Sequence, residues 1–573
     1  MLCMLYSFVM GVRKHNERKA VPGTPASLGL AGYRRWRPGQ RELLEQLLAL
    51  PHRFVFLEAP TGSGKSLLGV AAARLMEARL LYVVHTRQLQ EQLAADFPVA
   101  VIMGRGNYPT ANRSSLSCEA CELRPGKRHC PHCCSPRLAC RGETPACDAP
   151  SRCPYLGARR RAEQAEMTVA NAAYLLHDLD GAGALVEDRQ LLVVDEADEL
   201  PGAIVQHLTL ELSQEDLRML ALRAPAEAGD AAAWRPWARE AVQAATEALA
   251  EEEKALATVD DPLARGEIWQ RLRRLEFLLP RLKRLAQEDE IPWVVVSREE
   301  GWQLRPLHSG PYASFLLWSR VEGRVLLMSA TIADARLLAR ELGIPRDAWA
   351  FISAPSPIPP DRRRVLYIPV APLSHANAER TWPLMVEAMD SILDAHPRDR
   401  GIVHTHSYRL AAHVLAHSRH RQRLVGHEGA GDRSRALHRH RQTENAVLVS
   451  PSMERGVDFA GDRARFAVLL KTPYPNLGDP WVAARLASPG GQEWYARETV
   501  RAIVQACGRV CRGPSDYGVT CILDASFGRL LRGYARLFPQ WFLDALRVAS
   551  HDGGGRMTAT ALSTTRGGAQ PWA

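Results

Sequence analysis

Short, mostly apolar runs recur along the chain, each closed by glycine, proline or charged residues, and the stretches between them repeat apolar positions at helical spacing. Phe54-Val55-Phe56-Leu57, Leu80-Leu81-Tyr82-Val83-Val84, Met167-Thr168-Val169-Ala170-Asn171, Leu191-Leu192-Val193-Val194 and Arg324-Val325-Leu326-Leu327-Met328 are too short for helices and lack the alternation of a half-exposed strand. They predict strands covered on both faces, and strands that alternate with helices predict a parallel sheet. A second series follows the proline-punctuated stretch from Pro355 to Pro360: Val365-Leu366-Tyr367-Ile368, Gly401-Ile402-Val403-His404, Ala446-Val447-Leu448-Val449 and Phe466-Ala467-Val468-Leu469-Leu470. The predicted fold class is therefore α/β, with two parallel-sheet domains. At 573 residues the chain also exceeds the roughly 250–300 residues at which a single core stops growing.

Two stretches break the alternation. Between Gly104 and Ala165 the periodicity stops, and from 201 to 290 the composition shifts to Ala, Leu, Glu and Arg at helical spacing, which predicts an inserted helical lobe. Trp293-Val294-Val295-Val296 then returns to strand. The predicted organisation is a first domain in three pieces (28–103, 166–200 and 291–354), insertions at 104–165 and 201–290, and a second domain at 355–550. Residues 1–27 and 551–573 are expected to be poorly ordered tails.

The first apolar run leads into Glu58-Ala59-Pro60-Thr61-Gly62-Ser63-Gly64-Lys65-Ser66 and then a helical stretch. Strand, glycine loop, helix is the order a phosphate cradle needs, because successive backbone N–H groups and the helix N-terminus converge on the phosphate oxygens. Gly62 and Gly64 permit the tight turn, Lys65 is expected on the β- and γ-phosphates, and Ser66 on Mg²⁺, which makes ATP the implied ligand. Gln40 follows Pro38-Gly39 at a helix entry, and its amide, which both donates and accepts, suits an adenine edge. The run ending in Asp195-Glu196-Ala197-Asp198 places Asp195 to hold Mg²⁺ through water and Glu196 to orient and deprotonate the attacking water. Ser329 and Thr331 close another strand, where hydroxyls would sense the γ-phosphate. Arg509 and Arg512, three apart on one helix face, are candidate arginine fingers. Thr86 and Arg87, just past a strand's carboxyl end, suit a nucleic-acid phosphate.

Eight of the twelve cysteines fall between Cys118 and Cys153, in a segment with few apolar residues. A cluster this dense implies that metal holds the segment together. Cys118-x₂-Cys121 and Cys130-x₂-Cys133 have ligand-pair spacing, and thiolates serve zinc or an iron–sulfur cluster equally well on those grounds. Between Gly104 and Ala165 eleven Lys or Arg stand against five Asp or Glu, and the whole chain carries +10, which favours an anionic partner such as nucleic acid. The apolar start precedes the basic residues Arg13 to Lys19, the wrong order for a secretory signal, and no run reaches the ~18 apolar residues of a membrane span. A cytoplasmic protein without membrane contact is expected. The histidines between His404 and His440 read as no metal site, because His413, His417 and His420 lie in an Arg-rich helix expected at the surface, without paired acids or cysteines.

Taken in order, Gln40, the glycine loop, Asp195-Glu196-Ala197-Asp198, Ser329-Ala330-Thr331, Gly456-Val457-Asp458 and Gln505-x₂-Gly508-Arg509-x₂-Arg512 resemble the motifs of superfamily 2 helicases. The cysteine cluster, Gly104-Arg105-Gly106-Asn107-Tyr108, Cys153-Pro154-Tyr155 and Lys471-Thr472-Pro473-Tyr474-Pro475-Asn476 narrow the resemblance to the XPD/DinG branch, in its compact bacterial or phage form. The resemblance spans roughly residues 28–545. It implies two RecA-like motor domains, with a [4Fe–4S] domain and a helical arch inserted into the first, and 5′→3′ travel by a monomer on single-stranded and forked DNA. It also adds Asp458 and Gln505 to the nucleotide-binding set and gives Cys118, Cys130, Cys133 and Cys153 as cluster ligands. Two departures stand out. Thr110 occupies the place where many relatives carry the first cluster cysteine, and there are twice the cysteines one cluster needs, so Cys121, Cys140 or Cys147 is an alternative ligand or, with Cys134, part of a zinc site. A second reading of the same features is a metal-stabilised nucleic-acid-binding ATPase switch that does not unwind.

Overall fold

The apolar runs pair as parallel strands into two sheets of seven. They do so in a computed structural model that describes residues 20–109, 154–181, 183–259, 261–287, 291–427, 429, 432–451, 459, 461–513 and 515–549. Across the first sheet lie Trp349–Ser353, Phe54–Glu58, Arg324–Ser329, Leu191–Asp195, Leu80–Val84, Met167–Asn171 and Ala100–Val101. Across the second lie Leu546–Val548, Arg363–Ala371, Gly518–Asp524, Phe466–Leu469, Gly401–His404, Val447–Ser450 and Leu424–Val425. Written this way the two orders are one pattern. In each sheet the strand that comes first in the chain sits between the two that come last.

Strand period two divides each core. Phe54 and Phe56 pack on one face of the first sheet with Leu81, Val83, Leu192 and Val194, while Val55 and Leu57 pack on the other with Leu80, Tyr82, Leu68 and Val70. Helices cover both faces, so the strands read as unbroken apolar runs. Phe56 is fully buried, and truncating it to alanine is expected to cost about 3–5 kcal/mol. Register then lines up the carboxyl ends. Glu58 pairs with Ser329, and Asp195 with Met328, so the residues that follow these strands emerge along one edge.

The chain between the first sheet's strands builds a separate unit. The helices Ala231–Thr258 and Pro262–Leu285 are capped at their starts by Asp230 and Asp261 and pack against each other. Leu210–Ser213, Gly301–Pro306 and Trp293–Arg298 form a three-stranded antiparallel sheet beside them. Trp293–Arg298 is thus a strand as read, but it does not extend the parallel sheet. Its hairpin partner Gly301–Pro306 starts at a glycine with an extended backbone that leaves no room for a side chain against Leu212.

Residues 20–27 correct the expectation of a tail reaching to 27. Val21 is buried, Pro25–Leu28 forms a 3₁₀ turn, and the Trp36 indole donates to the Pro22 carbonyl at 2.8 Å. The remainder of that tail and of the tail from 551 lies outside the described residues. Part of the arginine content is also structural. The buried Arg189 guanidinium donates to the carbonyls of Ala162, Ala165 and Leu80 at 2.7–3.2 Å, and Arg423 donates to those of Leu393, His396, Asp399 and Asn445 at 2.8–3.1 Å. No helix among the described residues is long and apolar enough to cross a membrane.

Candidate active site and the adjoining cavity

The loop after Phe54–Glu58 turns through Gly62 and Gly64, whose φ angles of +83° and +78° lie in the left-handed region that glycine tolerates. Both are also crowded. A Cβ on Gly62 would stand 2.5 Å from the Arg512 carbonyl oxygen, and one on Gly64 would meet the Gln40 amide nitrogen. Lys65 opens the helix Lys65–Met76 and its ammonium donates to the Ala59 carbonyl at 3.1 Å, so it already curls over the loop. Gln40 is expected against an adenine but is buried, with both ends of its amide engaged. Nε2 donates to the Ser63 carbonyl at 2.7 Å and Oε1 accepts from the Arg37 N–H at 2.8 Å. Gly39, in the left-handed region at the helix entry, turns Gln40 inward to brace the loop.

The acids emerge beside the loop. Tyr82 reaches across from the neighbouring strand to donate to Asp195 Oδ2 at 3.1 Å, and its hydroxyl also bonds Ser66, so Tyr82 ties together the two residues expected at Mg²⁺. The donor set fits that ion, with a hydroxyl and a carboxylate side by side and hard oxygen ligands only. Glu196 is held at φ +51°, an unusual backbone for a glutamate and one that concentrates at functional sites. Burial pushes its pKa up to about 7, with Lys65 opposing and Asp198, Asp195 and Glu199 adding to the rise. Glu58, at the end of the central strand, is likewise pushed up to about 7 by burial, against the backbone N–H groups of Ala333 and Ile332.

Asp198 is the hub of the site. Ser329 donates to its Oδ1 at 2.5 Å and Thr331 to its Oδ2 at 2.9 Å, and the Ser329 hydroxyl also lies 3.3 Å from Glu196 Oε2. From the second domain, Gln505 donates to Asp198 Oδ2 at 3.4 Å and Arg501 stands 3.8 Å away. The helix Gly491–Cys507 that carries them runs on into Gly508–Arg512, which sits against the glycine loop: a Cβ on Gly508 would lie 3.6 Å from the Thr61 hydroxyl. The structure therefore brings Thr61, Gly62, Gly64, Lys65, Ser66, Asp195, Glu196, Gln505 and the Arg512 backbone to one cleft, whereas Arg509 lies near the buried His404. Asp458 and the cysteines Cys118, Cys130, Cys133 and Cys153 lie outside the described residues. Sequence reading missed Tyr82 and Arg501. Arg501 had a signal, since it precedes Gln505 by one helical turn on the same face.

Next to this cleft is a cavity of about 770 Å³ between the first sheet, the helical insertion and the second domain. His85 and Thr86 line it from the first domain, Phe277 and Arg281 from the insertion, and Trp481 and Arg497 from the second domain. Thr86 caps the helix Arg87–Asp96 by accepting from the Leu89 N–H, and Arg87 is engaged with Glu91 and Asn107 at 2.9 and 3.1 Å. Arg281 lies over the Phe277 ring, and Arg305 over the Trp481 ring, at 3.7 and 4.4 Å from the centroids. Arg105-Gly106-Asn107-Tyr108 and Pro154-Tyr155, the two ends of the cysteine-rich segment, meet each other: the Tyr108 and Tyr155 rings are 5.6 Å apart and Arg105 stacks on Tyr155.

Of the three histidines expected to lack acids, His420 has one: it pairs with Asp394 of the helix Ala378–Ala395 at 2.8 Å.

A model of the helicase C-terminal domain matches residues 389–545, and one of the type III restriction enzyme res subunit matches residues 34–219. The chain is 22% identical to the ATP-dependent DNA helicase YoaA of Haemophilus influenzae over 84% of its own length and 89% of the relative's. It is 27% identical to a regulator of telomere elongation helicase 1 homolog of Caenorhabditis elegans, over 20% of this chain and 12% of that one. Among solved structures, an XPD helicase superposes with a TM-score of 0.57 at 17% identity, covering 89% of this chain and 98% of that one. Xpd4 of S. tokodaii does so with a TM-score of 0.54 at 13% identity, over 89% and 100%.

Proposed function

We propose that the chain is a superfamily 2 helicase of the XPD/DinG type, an ATP-hydrolysing enzyme that moves along single-stranded DNA in the 5′→3′ direction and parts the duplex ahead of it. The observation that carries this is Asp198, where the two domains share one carboxylate: Ser329 and Thr331 hold it from the first, Gln505 and Arg501 from the second. An acid next to the water-activating Glu196, held from both sides of the cleft, couples the state of the nucleotide to the closure of the domains.

In this reading the glycine loop and Lys65 hold the phosphates, Glu196 takes the proton of the attacking water, and Arg512 faces the transferred phosphoryl group from the second domain. Bound Mg²⁺, held through Ser66 and Asp195, supplies the Lewis acid that offsets charge on the phosphate oxygens. Gln40 braces the loop. Single-stranded DNA lies in the cavity, with Thr86 and the insertion's Arg281 on its backbone and the Trp481 and Phe277 rings toward its bases, an arrangement of cations and aromatic faces that suits single strands. Cys118, Cys130, Cys133 and Cys153 hold a [4Fe–4S] cluster, with zinc as the alternative metal, in a segment that divides the strands. Cysteine spacing and family resemblance support this part.

The test is strand displacement on a forked DNA substrate with ATP and with a non-hydrolysable analogue, on protein prepared without oxygen and assayed for iron, sulfide and zinc. Displacement with ATP alone, by an iron- and sulfide-containing protein, is expected. ATP-dependent binding without displacement would leave the ATPase-switch reading in its place.

A further inference from the structure

The helix Gly491–Cys507 presents Trp494, Arg497, Glu498, Arg501 and Gln505 along one side, from the cavity to the nucleotide cleft. The charges along this wall can be accounted for one by one. Arg485 pairs with Glu341, and Arg305 with Asp479 at 3.2 Å. Arg501 bonds Glu498 at 2.6 Å and stands 3.6 and 3.8 Å from Glu199 and Asp198. Burial works against the Arg501 charge, but Glu498, Asp198 and Glu199 outweigh it and hold its pKa above the ordinary arginine value. Arg497 is the exception. It is 1% exposed and lines the cavity. Among the described residues its Nε and Nη2 have no hydrogen-bond partner and its one ion-pair contact is a shared one, Glu498 at 3.5 Å. A buried guanidinium with two idle donors is costly unless an anion completes it, and planar donors of this kind match a phosphate.

We infer that Arg497 binds one backbone phosphate of single-stranded DNA, and that Glu498 and Arg501 carry the occupancy of that site to Asp198. The inference rests on the reading of the cavity as the strand's path and adds to it a specific contact and a route. When a phosphate takes Arg497, Glu498 is left to Arg501 alone and fixes that guanidinium against Asp198 and Glu199. The carboxylate that Ser329, Thr331 and Gln505 also hold is then set in its hydrolytic position, so the strand stimulates turnover. Arg497 is a binding residue here. Glu498 and Arg501 also line the cavity, but their charges are spent on each other and on Asp198 and Glu199, which assigns them as positioning residues.

The experiment measures ATP hydrolysis by the full-length protein against the concentration of an oligo-dT strand, at several salt concentrations, for wild type, Arg497→Gln, Arg497→Lys and Glu498→Gln. Melting curves screen each variant for folding. Arg497→Gln should raise the half-saturating strand concentration roughly ten- to hundredfold, as for loss of a charge-assisted hydrogen bond. It should also lower the slope of log affinity against log salt by about 0.7, the signature of one single-strand phosphate contact. Arg497→Lys should recover part of both. Glu498→Gln should leave the half-saturating concentration in place and lower the plateau of strand-stimulated turnover. An Arg497→Gln protein with the wild-type salt slope, or a Glu498→Gln protein with the wild-type plateau, would overturn the inference. A wild type whose hydrolysis ignores DNA would instead overturn the proposed function, so the two failures are separable. If Arg497→Gln does not fold, wild type is compared with Arg497→Lys, in which loss of the planar fork should still raise the half-saturating strand concentration, and an equal half-saturating concentration in the two would count against the site.

Discussion

The two parallel sheets are one topology used for opposite chemistry. After the first strand of each, one chain turns through left-handed Gly62 and Gly64 into Lys65, whereas the other, after Arg363–Ala371, turns through Pro372-Leu373-Ser374 without a glycine. At the next corresponding end, Leu191–Asp195 finishes in acids, and Phe466–Leu469 runs into Lys471. Among the described ends, Leu80–Val84 and Gly401–His404 match in kind. Thr86 and Ser407 each follow a strand and cap a helix with a side-chain oxygen. The edge that must cradle phosphates and a metal needs backbone N–H groups and carboxylates, and the facing edge needs cations that reach across.

The sharpest way to break this comparison is to mutate both edges. Lys65→Ala and Glu196→Gln should abolish ATP hydrolysis, the first by removing a phosphate contact and the second by removing the base. Lys471→Ala, at the position corresponding to the acids, should retain most DNA-independent hydrolysis. A steady-state ATPase assay decides it, and equal losses at Glu196 and Lys471 would mean that the edges are not specialised.

Arg512 tests whether the second edge acts across the cleft. Its backbone carbonyl lies against Gly62 of the glycine loop. Arg512→Ala should lower turnover by about 10³ with far less effect on nucleotide affinity, measured by titration with a fluorescent ATP analogue. A loss of affinity alone would make Arg512 a binding residue.

Much of this contrast could be read from the chain before folding. Glycine at left-handed positions and acids after a buried strand are local signals, and the apolar runs of both sheets were visible because burial on two faces leaves no polar alternation. Gly518–Asp524 escaped notice although all seven residues are buried, because Thr520 and Cys521 dilute its apolar character. Trp349–Ser353 is an edge strand with exposed positions, and Leu210–Ser213 is a short alternating strand inside a helical stretch. The inward turn of Gln40, the bond from Tyr82 to Asp195 and the convergence on Asp198 depend on register between strands distant in sequence, which no local pattern encodes.

The acid edge should show itself in the pH profile. Glu196 acts as a base only when ionised, and its pKa is pushed up from 4.5 to about 7. The kcat/KM for MgATP, which reports the free enzyme's groups, should therefore be low below pH 7, rise through it and level off above, rather than rise near pH 4.5 as for an exposed glutamate. A flat kcat/KM profile from pH 5 to 8 would remove Glu196 as the titrating base.

The smallest expected effect concerns stability at the same edge. Glu58 ends the central strand, 5% exposed, and accepts from the Ala333 N–H at 3.0 Å. Burial raises its folded-state pKa to about 7 from an ordinary 4.5, so the folded protein binds a proton that the unfolded chain releases. The sign follows from linkage. This contribution is fully present below pH 4.5 and is lost as pH rises through 7, above which the folded state must hold a buried carboxylate. Glu58→Gln keeps an oxygen for the Ala333 N–H and removes the charge. Its stability relative to wild type should rise between pH 5 and pH 8 by up to about 3 kcal/mol, an upper bound set by a shift of this size. No such carboxylate ends the corresponding strand Arg363–Ala371, so a comparable pH-dependent gain from substitutions there would show that the acid edge is not the source. Urea denaturation of the variant and wild type at the two pH values, followed by tryptophan fluorescence, measures the difference, and a gain that does not grow with pH would place the proton elsewhere.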